Sequence, residues 1–274
     1  MSRRGRRGSP AVFFAGALLA GLVAMVAAPL AVIVAGSVVD PRLLGLASES
    51  WRGGPRGGTW FSYVVALYGG HLARSAGLAC AVVGLALLLG APAAYGLARR
   101  RDRFARAVGM VLDAPLAVPG LAVAIGLLLA YPRARASGAT LAAGHLVYAL
   151  PFFVRAAGNA LSSGGLAELE EAAASAGAGR WERFRRVVLP VARPGLLAGA
   201  LMAFTISWGE FNVTFLLATP TTQTFPAALY LTYTTNSFPV AAAATTIFLA
   251  AAIPALALLQ WIAAPETARF GEAA

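Results

Sequence analysis

The sequence predicts an all-α fold, a polytopic membrane helical bundle with six transmembrane helices. Three observations carry this. Hydrophobic residues make up 59% of the 274 residues and charged residues only 12%, about half the charged share of a typical soluble domain. Six apolar stretches approach or exceed the roughly 20 residues that a helix rising 1.5 Å per residue needs to cross a bilayer. The polar segments between them are short and rich in arginine, the pattern of loops on the cytoplasmic side of a membrane.

The first span, residues 11–38, follows a basic tail at 1–10 and carries no charge. A cleaved signal has an apolar core of roughly 7–15 residues, so this longer stretch is expected to stay as the first helix. An extracytoplasmic segment at 39–74 follows, with a short surface helix expected over 60–68. The second span is 75–97. An amphipathic piece at 104–112 is expected on the membrane surface, ahead of the third span at 115–131. The fourth span is 138–154, and a polar loop at 158–193 separates it from the fifth at 195–217. The sixth is 240–263, with a tail at 264–274. Pro29, Pro92, Pro119, Pro151 and Pro254 lie in these helices, which lipid tolerates where neighbouring groups re-satisfy the backbone. With no internal repeat, residues 75–263 read as one membrane domain.

With both termini inside, sixteen of the 22 arginines fall in cytoplasmic segments and six in outer ones. That excess puts the 158–193 loop in the cytoplasm, and Trp60 and Trp261 at the outer and inner interfacial belts. The basic residues include no lysine. A phosphate-binding P-loop requires one, so any ATP this protein uses is bound by another chain. Cys80 is the lone cysteine; it allows no internal disulfide and reads as a small packing residue. Two histidines and one cysteine make no metal site. The arginines lie beside apolar spans, so the lipid bilayer, and no nucleic acid, is the expected partner of this charge.

Residues 171–190 read E-A-A-A-S-A-G-A-G-R-W-E-R-F-R-R-V-V-L-P. An alanine-rich helical start, glycines at 177 and 179, a short second helix and a proline stop are expected. Glu171, Ala172, Ala173, Gly177, Val187, Leu189 and Pro190 match the EAA signature: E-A-A, three residues, G, nine residues, I, one residue, L-P. Valine replaces isoleucine at 187. On these residues the chain resembles the permeases of ATP-binding-cassette (ABC) importers, of the type I or MetI-like fold, over about residues 70–263. It looks most like the polyamine, phosphonate and ferric iron group.

The resemblance implies a bacterial plasma-membrane protein with both termini cytoplasmic. It implies a transport subunit, not an enzyme, that binds no cofactor itself, with ATP and magnesium held by a cytoplasmic ABC ATPase dimer. A second permease subunit is implied, a related chain favoured over an identical one, together with an extracytoplasmic solute-binding protein. The EAA segment would be a coupling helix seated in an ATPase groove. Trp181 and Phe184 would be its apolar anchors, with Arg180, Glu182 and Arg183 at the rim. Ala172–Ala174 would allow close helix packing, Gly177 and Gly179 the turn, and Pro190 would end the lever before the fifth span. An ordinary interfacial helix explains the arginines but not Gly177 and the L-P ending at fixed offsets.

Glu210 lies in the fifth span beside Trp208 and Asn212. An ionisable residue inside a membrane is costly and faces a cavity as a rule, so these three are pathway candidates. Solvation near the outer surface, or pairing with an arginine, is an equal alternative for Glu210. Asp113 reads as a helix-terminal residue and His145 as hydrogen-bonded packing. Residues 219–226 are either a contact for the binding protein or a solvated loop. The resemblance points to a small polar solute of polyamine or phosphonate type. An ion-coupled secondary transporter would show repeated halves and ionisable relays in several spans. An intramembrane protease would show a nucleophile–base pair or H-E-x-x-H. Neither pattern is present.

Overall fold

The computed structural model describes residues 10–38, 59–100, 102–162, 165–235 and 238–263. These form helices and turns, with no strand among them. The basic tail at 1–9, the segment at 39–58 and the tail from 264 onward lie outside the described residues. The chain divides into two compact units, one of residues 1–67 and 231–247, the other of 68–230 and 248–274.

In the first unit, α1 (Pro10–Val38) is apolar on all sides and exposed along most of its length, as a lipid-facing helix is. Near its end the Phe238 ring fills the space where a side chain on Gly36 would stand. Helix α2 starts at Thr59 and runs to Leu85. Residues 60–68 are therefore its first turns and not a separate surface helix. Nothing from 59 to 73 stops a helix: there is no proline and no charge. Trp60 and Val64 are buried, so Trp60 is a packing residue and not an interfacial one. The first turns of α12 (Phe238–Ala263) bury Val240 to Ala244.

In the second unit, α2 passes through a π-helical turn (Ala86–Gly90) into α3 (Ala91–Arg99), giving an unbroken helix from Trp60 to Arg99. Cys80 is exposed on it and is not a core residue. Helix α4 (Arg103–Ala117) takes its cap from Asp102, whose Oδ1 accepts the Ala105 N–H at 2.8 Å. It absorbs the expected surface piece and the start of the expected third span. At Val118–Pro119 the chain bends by 108° into α5 (Gly120–Ala130). Pro119 lacks an N–H, and it forces the residue before it out of the helical region; Val118 is extended, at ψ 129.

A short 3-10 turn (Pro132–Ala134) leads to α6 (Ala139–Leu161). Then come α7 (Leu166–Ser175), α8 (Arg180–Arg183), a second π turn (Phe184–Val188) and α9 (Leu189–Gly209). Pro190 does not end the lever: the helix runs continuously from Arg180 to Gly209. The π turn sits just ahead of the proline, with the Leu189 N–H reaching back to the Phe184 carbonyl. This wider turn takes up the ring that would crowd an α turn. The expected fifth span is broken at Glu210, beyond which lie α10 (Asn212–Leu217) and α11 (Phe225–Thr235).

Lipid offers no hydrophobic drive for helices to meet, so small residues and close contact do the work. Helices α6 and α9 show this. A Cβ on Gly199 would stand 2.9 Å from Cδ2 of buried Phe153 and 3.0 Å from its carbonyl oxygen, and one on Gly90 2.6 Å from Phe153 Cδ1. The same core reaches Leu166, Val188 and Ala192, which fastens the polar loop to the bundle. Among the described residues, five helices are long and apolar enough to cross a membrane, or six if the bent α4–α5 pair is one span.

Candidate functional site

The first candidate region is the polar loop, from α7 to the head of the Arg180–Gly209 helix. Helix α7 ends in a Schellman turn: the Ala178 N–H donates to the Ala173 carbonyl and the Gly177 N–H to the Ala174 carbonyl, both at 3.0 Å. Gly177 has φ +86, a conformation that side chains resist. Gly179 has φ −67 and ψ 163, which any residue adopts, so the turn depends on Gly177 alone. Ala172 and Ala174 are exposed and Ala173 half-buried; the alanine face is open rather than packed on a helix of this chain.

Beyond the turn, Trp181 and Phe184 stack with ring centroids 5.6 Å apart. They are 71% and 41% exposed, an unusual display for two large rings. Charge surrounds them. Arg186 pairs with Glu182 at 2.9 Å, Arg180 and Glu171 are exposed, and the Nε of Arg183 is buried without a hydrogen-bond partner. Leu189 and Pro190 are exposed on the following helix.

The second region is where two broken helices meet. The start of α5 lies against the start of α10, and a Cβ on Gly120 would fall 2.9 Å from Asn212 Cβ. The Tyr148 hydroxyl donates to the Val118 carbonyl at 2.6 Å, at the α4–α5 break. Glu210 Oε1 accepts the Val213 N–H at 2.9 Å, so this carboxylate caps α10 across the second break. His145 is buried and holds both sides of that break. Its Nδ1 meets Ser207 Oγ and its Nε2 meets Thr214 Oγ1, each at 2.9 Å. Of the pathway candidates, Asn212 is exposed, Glu210 half-buried and Trp208 buried. Trp208 stacks between Phe204 and Phe248, and its Nε1 has no hydrogen-bond partner.

Several partnerships were not visible in the sequence. Asp113 is inside α4 and not at its end, and it takes two bonds from Arg155, at 3.1 and 2.6 Å. Arg135 donates to the carbonyls of Leu216, Leu217 and Ala218, closing the end of α10. Arg74 Nε and His71 Nδ1 both donate to the Gln223 carbonyl at 3.0 Å, and the Phe225 N–H donates to Ser75 Oγ at 2.8 Å. The 219–226 segment is thus pinned in place. A helix carbonyl at Leu216 and an arginine 81 residues away leave no local pattern that would have revealed them. Among the described residues no group of three or more His, Cys, Asp or Glu is placed to hold a metal.

A family model described as "Binding-protein-dependent transport system inner membrane component" matches residues 86–264. An ABC transporter permease protein of Streptomyces antibioticus is 36% identical over 68% of this chain and 81% of its own length. A Salmonella typhimurium permease named for 2-aminoethylphosphonate transport, PhnV, is 30% identical over 86% of this chain and 88% of its own. The Escherichia coli K12 molybdenum transport system permease ModB is 39% identical over 49% of this chain and 59% of its own. The fold of a solved bacterial ABC transporter, involved in import of the acidic polysaccharide alginate, superposes with a TM-score of 0.67. It covers 94% of this chain and 99% of that one, at 20% identity. The chain therefore belongs to the binding-protein-dependent transport system inner membrane component family and is a multi-pass inner-membrane permease subunit of an ABC importer, not an enzyme.

Proposed function

We propose that the segment from Leu166 to Gly209 carries the motion of a cytoplasmic ABC ATPase dimer into the membrane, and that the paired helix breaks at Val118–Pro119 and Glu210–Phe211 line the solute path. The observation that carries the first part is the stacked, exposed Trp181–Phe184 pair at the head of one continuous helix. Aromatic anchors with a charged rim are what a protein groove takes up, and an unbroken helix moves as one rod. Glu171, Ala172, Ala173, Gly177, Arg180, Arg183, Leu189 and Pro190 complete this coupling surface. ATP and magnesium reside in the ATPase.

A double variant, Trp181→Ala with Phe184→Ala, removes the anchors and touches no core residue. An anchor worth about 2 kcal/mol corresponds to roughly 30-fold in affinity. The ATPase is expected to stop co-purifying, and ATP-driven uptake into proteoliposomes to fall at least as far, with the permease itself still folded. Unchanged co-purification and uptake overturns the docking reading.

For the path, Glu210 and Asn212 are the contacts assigned, with Trp208, buried between Phe204 and Phe248, bracing the wall behind them; a small polar solute of phosphonate or polyamine type is favoured. PhnV, matched over most of this chain, supports the phosphonate choice; ModB supports an oxyanion more generally. Calorimetry on the cognate solute-binding protein with 2-aminoethylphosphonate, molybdate and spermidine in turn decides among them. That binding protein, outside, and a second, related permease subunit complete the importer, with both termini of this chain in the cytoplasm.

A further inference from the structure

The coupling loop has a polar attachment to the bundle, besides its covalent ends and the apolar packing of Leu166, Val188 and Ala192. Glu170 stands on α7 just before the E-A-A triplet. Its Oε1 accepts the Tyr95 hydroxyl at 2.7 Å, and its Oε2 accepts Arg99 Nη2. Arg99 also donates through Nη1 to the carbonyl of Leu161, the last residue of α6, at 3.3 Å. Its guanidinium lies 5.2 Å from the centroid of the Tyr95 ring, within cation–π reach. One arginine thus ties together the ends of α3 and α6 and the body of α7.

The pair is well shielded. Arg99 and Glu170 keep 24% and 14% of their side-chain surface exposed, whereas Glu168 and Glu171 on the same helix are exposed. Such a pair is screened less by salt than a surface one, and Glu170 is held at both oxygens, one by Tyr95 and one by Arg99, which fixes its orientation as well as its distance. Tyr95 and Arg99 end the helix that begins near Trp60. A displacement of α7 therefore pulls directly on a second long span.

We propose that Tyr95, Arg99 and Glu170 form a strut that passes the movement of the coupling loop to the Trp60–Arg99 helix, in parallel with the route through α9. They are positioning residues, since none is placed at the ATPase-facing aromatic pair or at the helix breaks. This rests on the coupling reading above. Without the strut the ATPase still docks and still hydrolyses ATP, but only one span receives the full stroke.

The test compares Tyr95→Phe, Glu170→Ala, Arg99→Ala and the Arg99→Ala/Glu170→Ala double variant in the assembled importer. It measures ATPase co-purification and the number of solute molecules moved per ATP hydrolysed in proteoliposomes. Expected are wild-type co-purification, a fall of about ten-fold in the transport ratio for either alanine variant, and no further loss in the double variant, because the two act as a unit. Tyr95→Phe, which removes one hydroxyl and leaves the ring, is expected to lower the ratio several-fold. It remains decisive if an alanine variant fails to fold.

An unchanged ratio in an assembled complex, or losses that simply add in the double variant, overturns the strut. If the Trp181/Phe184 variant keeps its ATPase, the docking reading fails instead. If that variant loses the ATPase while the strut variants keep the full ratio, only the strut fails.

Discussion

His145 shows what one buried polar side chain does in this bundle. It holds Ser207 and Thr214 on either side of the Glu210 break, where the backbone gives no continuous hydrogen-bond ladder. His145→Ala leaves both hydroxyls without this partner and is expected to cost about 1–3 kcal/mol, read as a lower unfolding temperature of the detergent-purified protein. Ser207→Ala is expected to cost less. Two glycines give a sharper contrast. Gly199→Ala drives a methyl into Phe153 and is expected to cost about 1–3 kcal/mol. Gly109, mid-helix in α4, has open space around it, and Gly109→Ala is expected to be neutral or stabilising by up to about 1 kcal/mol. Equal melting temperatures for the two variants contradict this packing. Sequence reasoning saw that His145 would be hydrogen-bonded. It did not see to what, because the partners lie 62 and 69 residues on and meet it only once α6 lies beside both α9 and α10.

At the level of elements, Gly177 and Gly179 look alike in sequence and differ in structure. Gly177→Ala imposes a side chain at φ +86 and is expected to destabilise the turn by about 1–2 kcal/mol, with ATP-driven uptake reduced. Gly179→Ala, in extended backbone, is expected to leave both unchanged; equal effects of the two contradict the Schellman geometry. Asp102 sets the start of α4. The Ala105 N–H and the Arg100 guanidinium hold its carboxyl below the usual carboxylate range. Its contribution is present above the carboxylate's unfolded pKa and is lost as pH falls through the lowered folded value. The protection factors of the first-turn amides of α4, referred to the intrinsic exchange rate at each pH, are therefore expected to fall in acid, and Asp102→Ala to remove that dependence. The turn at Gly177 was readable because glycine spacing encodes it. The continuity through Pro190 was not, because a proline ordinarily signals a stop, and the π turn that overrides it leaves no mark in residue type.

For the molecule as a whole, composition was enough to reveal a bundle of apolar helices, and the EAA spacing enough to place its polar loop. The breaks at Val118 and Glu210 were hidden, since each sits inside a stretch that hydropathy counts as one span. Orientation rests on arginine asymmetry and has a direct check. Cys80 is the lone cysteine, so a Cys80→Ser background permits single-thiol labelling. Ser175→Cys is expected to react with an impermeant reagent only from the cytoplasmic side, and Ser137→Cys only from the outside; both are exposed in the structure. The reverse pattern inverts the topology. The two π turns have a practical corollary for anyone building chimeras. Each stores one residue more than an α turn, and a residue is worth about 100° of rotation. A splice of equal length made inside 184–188 against a relative lacking that surplus would swing Trp181 to another side of its rod, whereas a junction on either flank keeps the phase.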